Sequence, residues 1–381
     1  MPPYKIPFNQ PAMVGGELRY ITEAVKSGWI GGDGFFTRKC NEWLEKNLKA
    51  KKVLLTNSCT AALEMAAMLC DLKFGDEVIL PSFTFVSTAN AFVLRGAKLI
   101  FVDIRGDTLN LDEKKIEAAV TKRTKVIVPV HYAGVACAMK EIKNIAAKHK
   151  LFVIEDAAQG VLSTYQGQAL GTLGDFGAYS FHETKNYTCG EGGALAINNP
   201  KYIKRAEIII EKGTNRKEFY RGNVDKYTWV DLGSSYLPSD IVAAFLFGQL
   251  EKARAITNKR LTIWKKYYAG LLPLMTTGRV KLPTIPKDCR HNGHMFYFLV
   301  ESARDCRRLS QYLKSKGVAS VFHYVPLHQS PMARKLGIHR TKLPVTESAA
   351  NHLLRLPVYY ELKASDQDRV VDLVHEYFNR Q

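Results

Sequence analysis

No two of the seven cysteines, Cys40, Cys59, Cys70, Cys137, Cys189, Cys289 and Cys306, form a CxxC pair. Neither a zinc site nor a redox dithiol is therefore signalled. No segment approaches the ~20 consecutive apolar residues that a membrane helix needs. The opening "MPPYKIPFNQ" has no apolar core of signal-peptide length. These absences lead us to expect a cytoplasmic protein with no membrane span. The chain has no GxxxxGK followed by Ser or Thr, and no strand-linked GxGxxG, which excludes a nucleoside-triphosphate loop and a dinucleotide fingerprint. Acids are in the minority, 36 Asp+Glu against 54 Lys+Arg, giving a formal charge of +18. Yet the basic residues are spread along the chain with no long block or tail. We therefore read the charge as surface composition and attraction for small anions, and expect no nucleic-acid partner. Internal repeats and low-complexity linkers are also missing.

What the sequence does hold is globular: 381 residues, 46% hydrophobic and 24% charged, enough for one large domain and a smaller one. Short apolar runs rich in Val and Ile recur through the first two thirds. They are "KVLLT" (52–56), "EVIL" (77–80), "KLIFVD" (98–103), "KVIVPV" (125–130), "LFVIED" (151–156), "GAYSF" (177–181) and "GALAIN" (193–198). Helical patterns such as "TAALEMAAMLCDL", "LDEKKIEAAVT" and "MKEIKNIAAKHK" lie between them. This alternation predicts an α/β fold with a mostly parallel sheet wrapped by helices. "GAYSF" and "GALAIN" are too close for a helical crossover, so they are expected to pair antiparallel. The texture changes after Pro238. A long helical region over 239–271, strands at "MFYFLV" and "VASVFHYV", and helices near 305–316, 345–354 and 365–378 predict a smaller α+β domain over 239–381, beside a large domain over 1–238.

Three stretches carry chemistry. In "LLTNSCTAALEMAAM" a strand gives way to a helix starting near Thr60. Free N–H groups at a helix start attract phosphate, and Ser58 and Thr60 add hydroxyls, although plain capping needs the same residues. In "LFVIEDAAQG", Glu155 and Asp156 end an apolar strand, where α/β sheets bind ligands; capping by Asp is the alternative. In "SFHETKNYTCGEGG", Lys185 precedes a Gly-rich turn, and a solvated loop lysine is the plain alternative. Together they match the anchors of pyridoxal 5′-phosphate (PLP): phosphate donors, an acid for the ring nitrogen and a lysine for the aldehyde.

The chain resembles the vitamin B6-dependent sugar-nucleotide aminotransferases nearly end to end. The likeness runs through "SGWIGGDGFFTRKC", "GDEVILPSFTFVSTANAFVLRGAKLIFVD", "VPVHYAGVAC", "VIEDAAQGV", "SFHETKNYTCGEGG", "FHYVPLH" and "LLRLPVYY". "EDAAQ" followed by "SFHETKN" and "GEGG" is its specific signature. The resemblance implies a fold-type I PLP-dependent transferase with a seven-stranded sheet. It also places Lys185 as the Schiff-base lysine, Asp156 at the pyridine nitrogen, and Gln159 beside the phenolic oxygen. Ser58, Cys59, Thr60 and Ser180 fall on phosphate-binding positions, and Phe85 on the ring-stacking aromatic. Gly31, Asn215, Arg216, His323 and His328 are substrate-contact candidates, and no metal is implied. Two stretches depart from common family patterns: Ser58-Cys59-Thr60 replaces Ser-Gly-Thr, and "GSSYLPSD" puts Ser235 near a frequent asparagine.

The implied reaction moves the amino group of L-glutamate to C4 of a dTDP-4-keto-6-deoxyhexose, giving dTDP-4-amino-4,6-dideoxygalactose and 2-oxoglutarate, with pyridoxamine 5′-phosphate (PMP) as the intermediate cofactor form. The implied assembly is a homodimer with shared active sites. Related B6-dependent sugar dehydratases carry histidine in place of the lysine, so Lys185 argues for amino transfer. Aminotransfer at C3, the 4-amino gluco epimer and a non-catalytic nucleotide-sugar-binding regulator are the competing readings.

Overall fold

Alternation along the central strands decides the architecture. The computed structural model of the protein describes residues 4–380. Its main sheet has seven strands: β1 (Lys52–Thr56), β2 (Glu77–Pro81), β3 (Lys98–Val102), β4 (Thr124–Ile127), β5 (Phe152–Asp156), β6 (Phe176–Ser180) and β7 (Gly193–Ile197). Val53, Leu55, Ile79, Ile127 and Val153 point into one buried core, whereas Leu54, Val78, Leu80, Val126 and Ile154 point into another. A strand apolar on both faces must be covered on both faces, as in parallel sheets. One cover includes α2 (Phe35–Leu48), through Phe36, Cys40, Leu44 and Leu48. The other is built from α3 (Cys59–Leu69) and α4 (Val86–Val93), through Ala62, Met65, Ala66, Leu69 and Phe92.

The strand order is β1-β7-β6-β5-β4-β2-β3. β6, β5, β4, β2 and β3 pair in parallel, while β7 runs antiparallel to both β1 and β6. The expected mostly parallel sheet and the local antiparallel pair are both present. This topology brings the carboxyl ends of β1, β2, β4, β5 and β6 to one edge, where open α/β sheets bind ligands.

The second half of the chain builds a smaller sheet of β8 (Val280–Lys281), β9 (Phe296–Val300) and β10 (Leu353–Leu356), all antiparallel. Its alternation is again two-sided. Phe296, Phe298, Leu354 and Leu356 enter a separate core with Ile263, Tyr267 and Val374. Tyr297 and Leu353 face the opposite way, into a cluster with Phe83 and Tyr132.

The structure departs from the sequence reading in three places. The helical region 239–271 is two helices, α5 (Asp240–Glu251) and α6 (Ala253–Thr276), broken at Lys252. α5 packs on α1 (Glu17–Lys26) and α2, whereas α6 sends Ile263, Tyr267 and Leu271 into the core of the small sheet, so one straight helix cannot serve both. The pattern at 111–121 is helical only over Glu113–Ile116 with a 3₁₀ turn at Glu117–Ala119; Thr121 is instead tied to Glu77, its hydroxyl donating to the carboxylate at 2.5 Å. "VASVFHYV" is not a regular strand. It makes isolated bridges, Val318 with Ile6 and Val321 with Arg355, because its next residues turn His323 and Tyr324 into the ligand cavity.

Candidate active site

A cavity of about 830 Å³ opens at the carboxyl edge of the main sheet. Ser58, Cys59, Thr60, Phe85, Asp156, Gln159, Ser180, Lys185 and His323, all singled out in the sequence, line it. Each is put there by a short chain of local causes.

Ser58 is the N-cap of α3, with extended backbone and its Oγ accepting from the Ala61 N–H at 3.0 Å. The Cys59 and Thr60 amides open the helix, where no carbonyl four residues back is helical, so they face outward as donors. The Thr60 hydroxyl donates to Ser87 Oγ at 2.8 Å, joining the starts of α3 and α4. β7 comes very close at this point. A Cβ on Gly193 would lie 2.3 Å from both the Cys59 nitrogen and the Ser58 carbonyl carbon, so the last glycine of "GEGG" is required by the approach of the antiparallel strand to the helix start.

Asp156 and Glu155 leave β5 on opposite faces. The Glu155 carboxylate is sealed inside: His131 Nε2 lies at 2.8 Å, and the Gly171, Leu173 and Gly174 N–H groups donate at 2.6–2.7 Å. Its role is to hold the 171–174 turn. Asp156 faces the cavity, fixed by the Thr88 hydroxyl donating at 2.7 Å and the Ala158 N–H at 3.1 Å. No helix begins after it, so the capping alternative does not apply. Gln159 accepts from the Ala133 N–H at 2.6 Å and donates its Nε2 to the Tyr324 hydroxyl at 2.9 Å.

Lys185 lies in the turn 182–190, shaped by its own N–H donating to the His182 carbonyl at 2.9 Å and by the Glu183 N–H donating to Gly190. Its ammonium makes no hydrogen bond or ion pair among the described residues. Burial lowers its pKa below the ordinary lysine value, and the Arg355 charge acts in the same direction against the pull of Asp156. A partly buried lysine without an acid partner favours the neutral amine, the form that attacks carbonyls. Its neighbour Asn186 is structural: it is buried, donates to the Asn292 carbonyl at 3.0 Å and pairs with His294 at 2.9 Å.

Phe85 is 60% exposed, so it is not a core aromatic; it sits at the start of α4 on the cavity rim. The core position in "SFTFVS" is held by Phe83. His323 Nδ1 meets the Tyr132 hydroxyl at 2.7 Å, and its ring stacks on Tyr324 at 3.7 Å. Burial pushes its pKa well below the ordinary histidine value, so it stands neutral.

Four other candidates do not line the cavity. His328 is buried against Ser82 Oγ at 2.7 Å and Glu347 at 3.2 Å, a packing role. Arg216 donates to the Tyr220 hydroxyl and pairs with Glu211 at 3.5 Å. Asn215 accepts from the Thr228 N–H at 2.7 Å. Gly31 is exposed, in a turn where its carbonyl accepts from the Asp240 N–H. Ser235 is exposed too, its carbonyl accepting from Asn57 Nδ2 at 3.1 Å beside the Ser58 turn. Sequence reasoning missed Thr88, Tyr324 and Arg355. The signal for Arg355 was available: one charged residue in the apolar run "LLRLP".

The model of the DegT/DnrJ/EryC1/StrS aminotransferase family matches residues 11–375. A protein of Methanocaldococcus jannaschii, MJ1066, is 34% identical over 98% of this chain and 96% of its own length. The spore coat polysaccharide biosynthesis protein SpsC of Bacillus subtilis is 32% identical over 97% of this chain and 96% of its own. The sugar aminotransferase Spr1654 of Streptococcus pneumoniae, in its PLP form, superposes with a TM-score of 0.91 at 26% identity, covering 99% of each chain. With this fold, this lysine and this match, the chain belongs to the DegT/DnrJ/EryC1/StrS aminotransferase family, whose members are PLP-dependent sugar aminotransferases.

Proposed function

We propose that the protein transfers the amino group of L-glutamate to C4 of a dTDP-4-keto-6-deoxyhexose and releases dTDP-4-amino-4,6-dideoxygalactose. The observation that carries amino transfer is the meeting of a lysine free of acid partners, a fixed carboxylate and an open helix start in one cavity. The choice of sugar rests on the end-to-end sequence resemblance.

The residues fit PLP. The outward amides of Cys59 and Thr60, with the Ser180 hydroxyl, would take the phosphate, joined by the Thr60 hydroxyl once it turns from Ser87. Asp156 would hold the ring nitrogen protonated, and Phe85 would cover one ring face. Gln159 would lie beside the ring oxygen. Bound there, the cofactor supplies an aldehyde that accepts the amino group and a ring that withdraws electrons from the adjacent carbon. Lys185 anchors it and, once released, moves the proton as general base and then acid. Thr88 keeps the Asp156 carboxylate aimed. His323 and Tyr324 line the same cavity, and Tyr324 positions Gln159 by accepting from its amide.

The same reading divides the chain into a cofactor-binding part, 1–238, and a smaller part, 239–381, with Arg260, His294, His323, Tyr324 and Arg355 of the latter lining the cavity. It places a second copy of the chain over the cavity mouth. Exposed apolar side chains support this: Phe85, Val86, Phe322 and Val325, together with Trp229 and Val230 elsewhere on the surface. No helix among the described residues is long and apolar enough to cross a membrane, and we place the reaction in the cytoplasm.

The test is incubation with L-glutamate and a panel of dTDP-keto sugars, with NMR of the product. The reading predicts an axial amine at C4. An equatorial C4 amine or a C3 amine would replace the sugar assignment while keeping amino transfer. Nucleotide-sugar binding without turnover would overturn amino transfer itself.

A further inference from the structure

A basic shelf stands outside the cavity. Between Asp305 and Glu347 the chain has no acid, and Arg334, Lys335, Arg340 and Lys342 crowd the end of that run. All four are exposed, and none makes an ion pair among the described residues. By contrast Arg105, Arg123, Arg205 and Arg221 each hold a carboxylate at 2.6–2.9 Å. No residue from 331 to 342 lines the cavity, so the shelf touches neither the cofactor site nor the reacting centre.

The shelf is fixed from beneath. The one-turn helix Pro331–Lys335 is capped by Ser330, whose Oγ accepts from the Ala333 N–H at 3.2 Å. Ala333 is buried, Leu343 ends the stretch inside a core of the main sheet, and Ile338 packs against that core. The Thr341 hydroxyl donates to the Ile338 carbonyl at 3.1 Å. With Ala333 and Ile338 turned inward, the outer side falls to Met332 and Leu336, which are 46% and 38% exposed. The Leu336 N–H donates to the Met332 carbonyl at 3.0 Å, so the two side chains lie one helical turn apart on one face. Single exposed aliphatics are ordinary; a pair on one face among unpaired cations is the composition of segments that lie in a membrane interface.

We propose that this shelf docks the protein on an anionic lipid bilayer. Arg334, Lys335, Arg340 and Lys342 meet the lipid phosphates, and Met332 and Leu336 enter the boundary between headgroups and acyl chains. Nucleic acid would engage the cations and gain little from an aliphatic pair, since it is held by phosphate contacts, base-edge hydrogen bonds and aromatic stacking. A bilayer uses both halves of the shelf.

Co-sedimentation of the PLP-loaded full chain with vesicles tests this, with phosphatidylcholine alone against phosphatidylcholine carrying phosphatidylglycerol, over a range of salt. Each Lys or Arg at an anionic leaflet contributes about fivefold, so Arg334→Gln/Lys335→Gln/Arg340→Gln/Lys342→Gln should bind the anionic vesicles about 100-fold more weakly or worse. It should also lose most of the salt dependence. Met332→Gln/Leu336→Gln should weaken binding by about tenfold and leave the salt dependence as it was. Lys46→Gln/Lys49→Gln/Lys140→Gln/Lys143→Gln removes the same charge from α2 and the helix Met139–His149, whose buried residues belong to the other core of the main sheet. It should stay within about threefold of wild type, since charges more than ~8 Å from the lipid are screened. If the fourfold shelf variant melts early, Arg334→Gln/Lys335→Gln and Arg340→Gln/Lys342→Gln carry the test, each with a loss of about 20-fold. Wild type that sediments no better with anionic than with neutral vesicles overturns the proposal, as does a shelf variant that binds as tightly as wild type. Binding to single-stranded RNA that the shelf variant loses, with none to vesicles, gives the shelf to nucleic acid and overturns it too.

Discussion

Replacing Thr88 by valine keeps the shape of a fully buried side chain and removes one donated proton. In the wild type that proton goes to Asp156 Oδ2 at 2.7 Å, and the Thr84 hydroxyl stands 2.7 Å behind it. A hydrogen bond to a charged group contributes about 1.5–3 kcal/mol. With tenfold per 1.4 kcal/mol, the cofactor should bind about 10- to 150-fold more weakly to Thr88→Val. Thr84→Val removes only the neutral link behind and should cost less than about tenfold. The assay is titration of apoprotein with PLP, followed by visible absorbance, with thermal melting of the apoprotein as the control for folding. If Thr88→Val folds normally and binds PLP within twofold of wild type, Asp156 is not held in place by Thr88 and the reasoning about this carboxylate fails.

Further outcomes follow from other buried charges. Asp103 ends the β3 region and caps a helix far along the chain, Pro344–His352, accepting from the Val345 and Thr346 N–H groups at 3.1 and 2.9 Å and from the Thr346 hydroxyl at 2.8 Å. Asp103→Ala should therefore cost about 1–2 kcal/mol in urea unfolding. Burial pushes the Asp103 pKa up, but the bonds from Thr346, Ile104 and Val345 outweigh it and hold it below the ordinary carboxylate value. Its contribution is thus complete above the unfolded value near ~3.9 and lost as pH falls through the folded one. A wild-type minus variant difference that grows on acidification would refute this. Lys185 has the opposite chemistry: burial lowers its pKa, so the amine loses its proton earlier. Covalent uptake of PLP by the apoprotein should rise with pH and level off below the free-lysine value of ~10.4; a midpoint at or above that value would show that the site does not favour the neutral amine.

The main sheet was legible because its strands are buried on both faces, which makes them short continuous apolar runs bounded by turns. The cavity-lining candidates were legible because Ser58, Asp156, Gln159 and Lys185 each end or follow such a strand within a few residues. Thr88 was not, because a threonine inside the helical run "VSTANAFV" has no mark of its own; only the spacing of α4 against β5 shows what its hydroxyl reaches. Tyr324 and Arg355 come from the far half of the chain and reach the cavity of Gln159 and Lys185 only through the packing of the small sheet. "VASVFHYV" misled as a strand because its apolar residues answer two demands, bridging at Val318 and Val321 and then lining a cavity. The break at Lys252 is invisible to periodicity, since the helices on each side of it follow different cores.

The central claim is that Lys185 holds the cofactor that moves the amino group. Purified wild type and Lys185→Ala should each be loaded with PLP, treated with borohydride and weighed by intact-protein mass spectrometry. The account predicts one covalently trapped cofactor on wild type, mapped to the peptide containing Lys185, and none on Lys185→Ala, which retains only reversibly bound cofactor and does not turn over. Trapping at another lysine, or a variant that still carries the covalent cofactor and transfers amino groups at the wild-type rate, would contradict it.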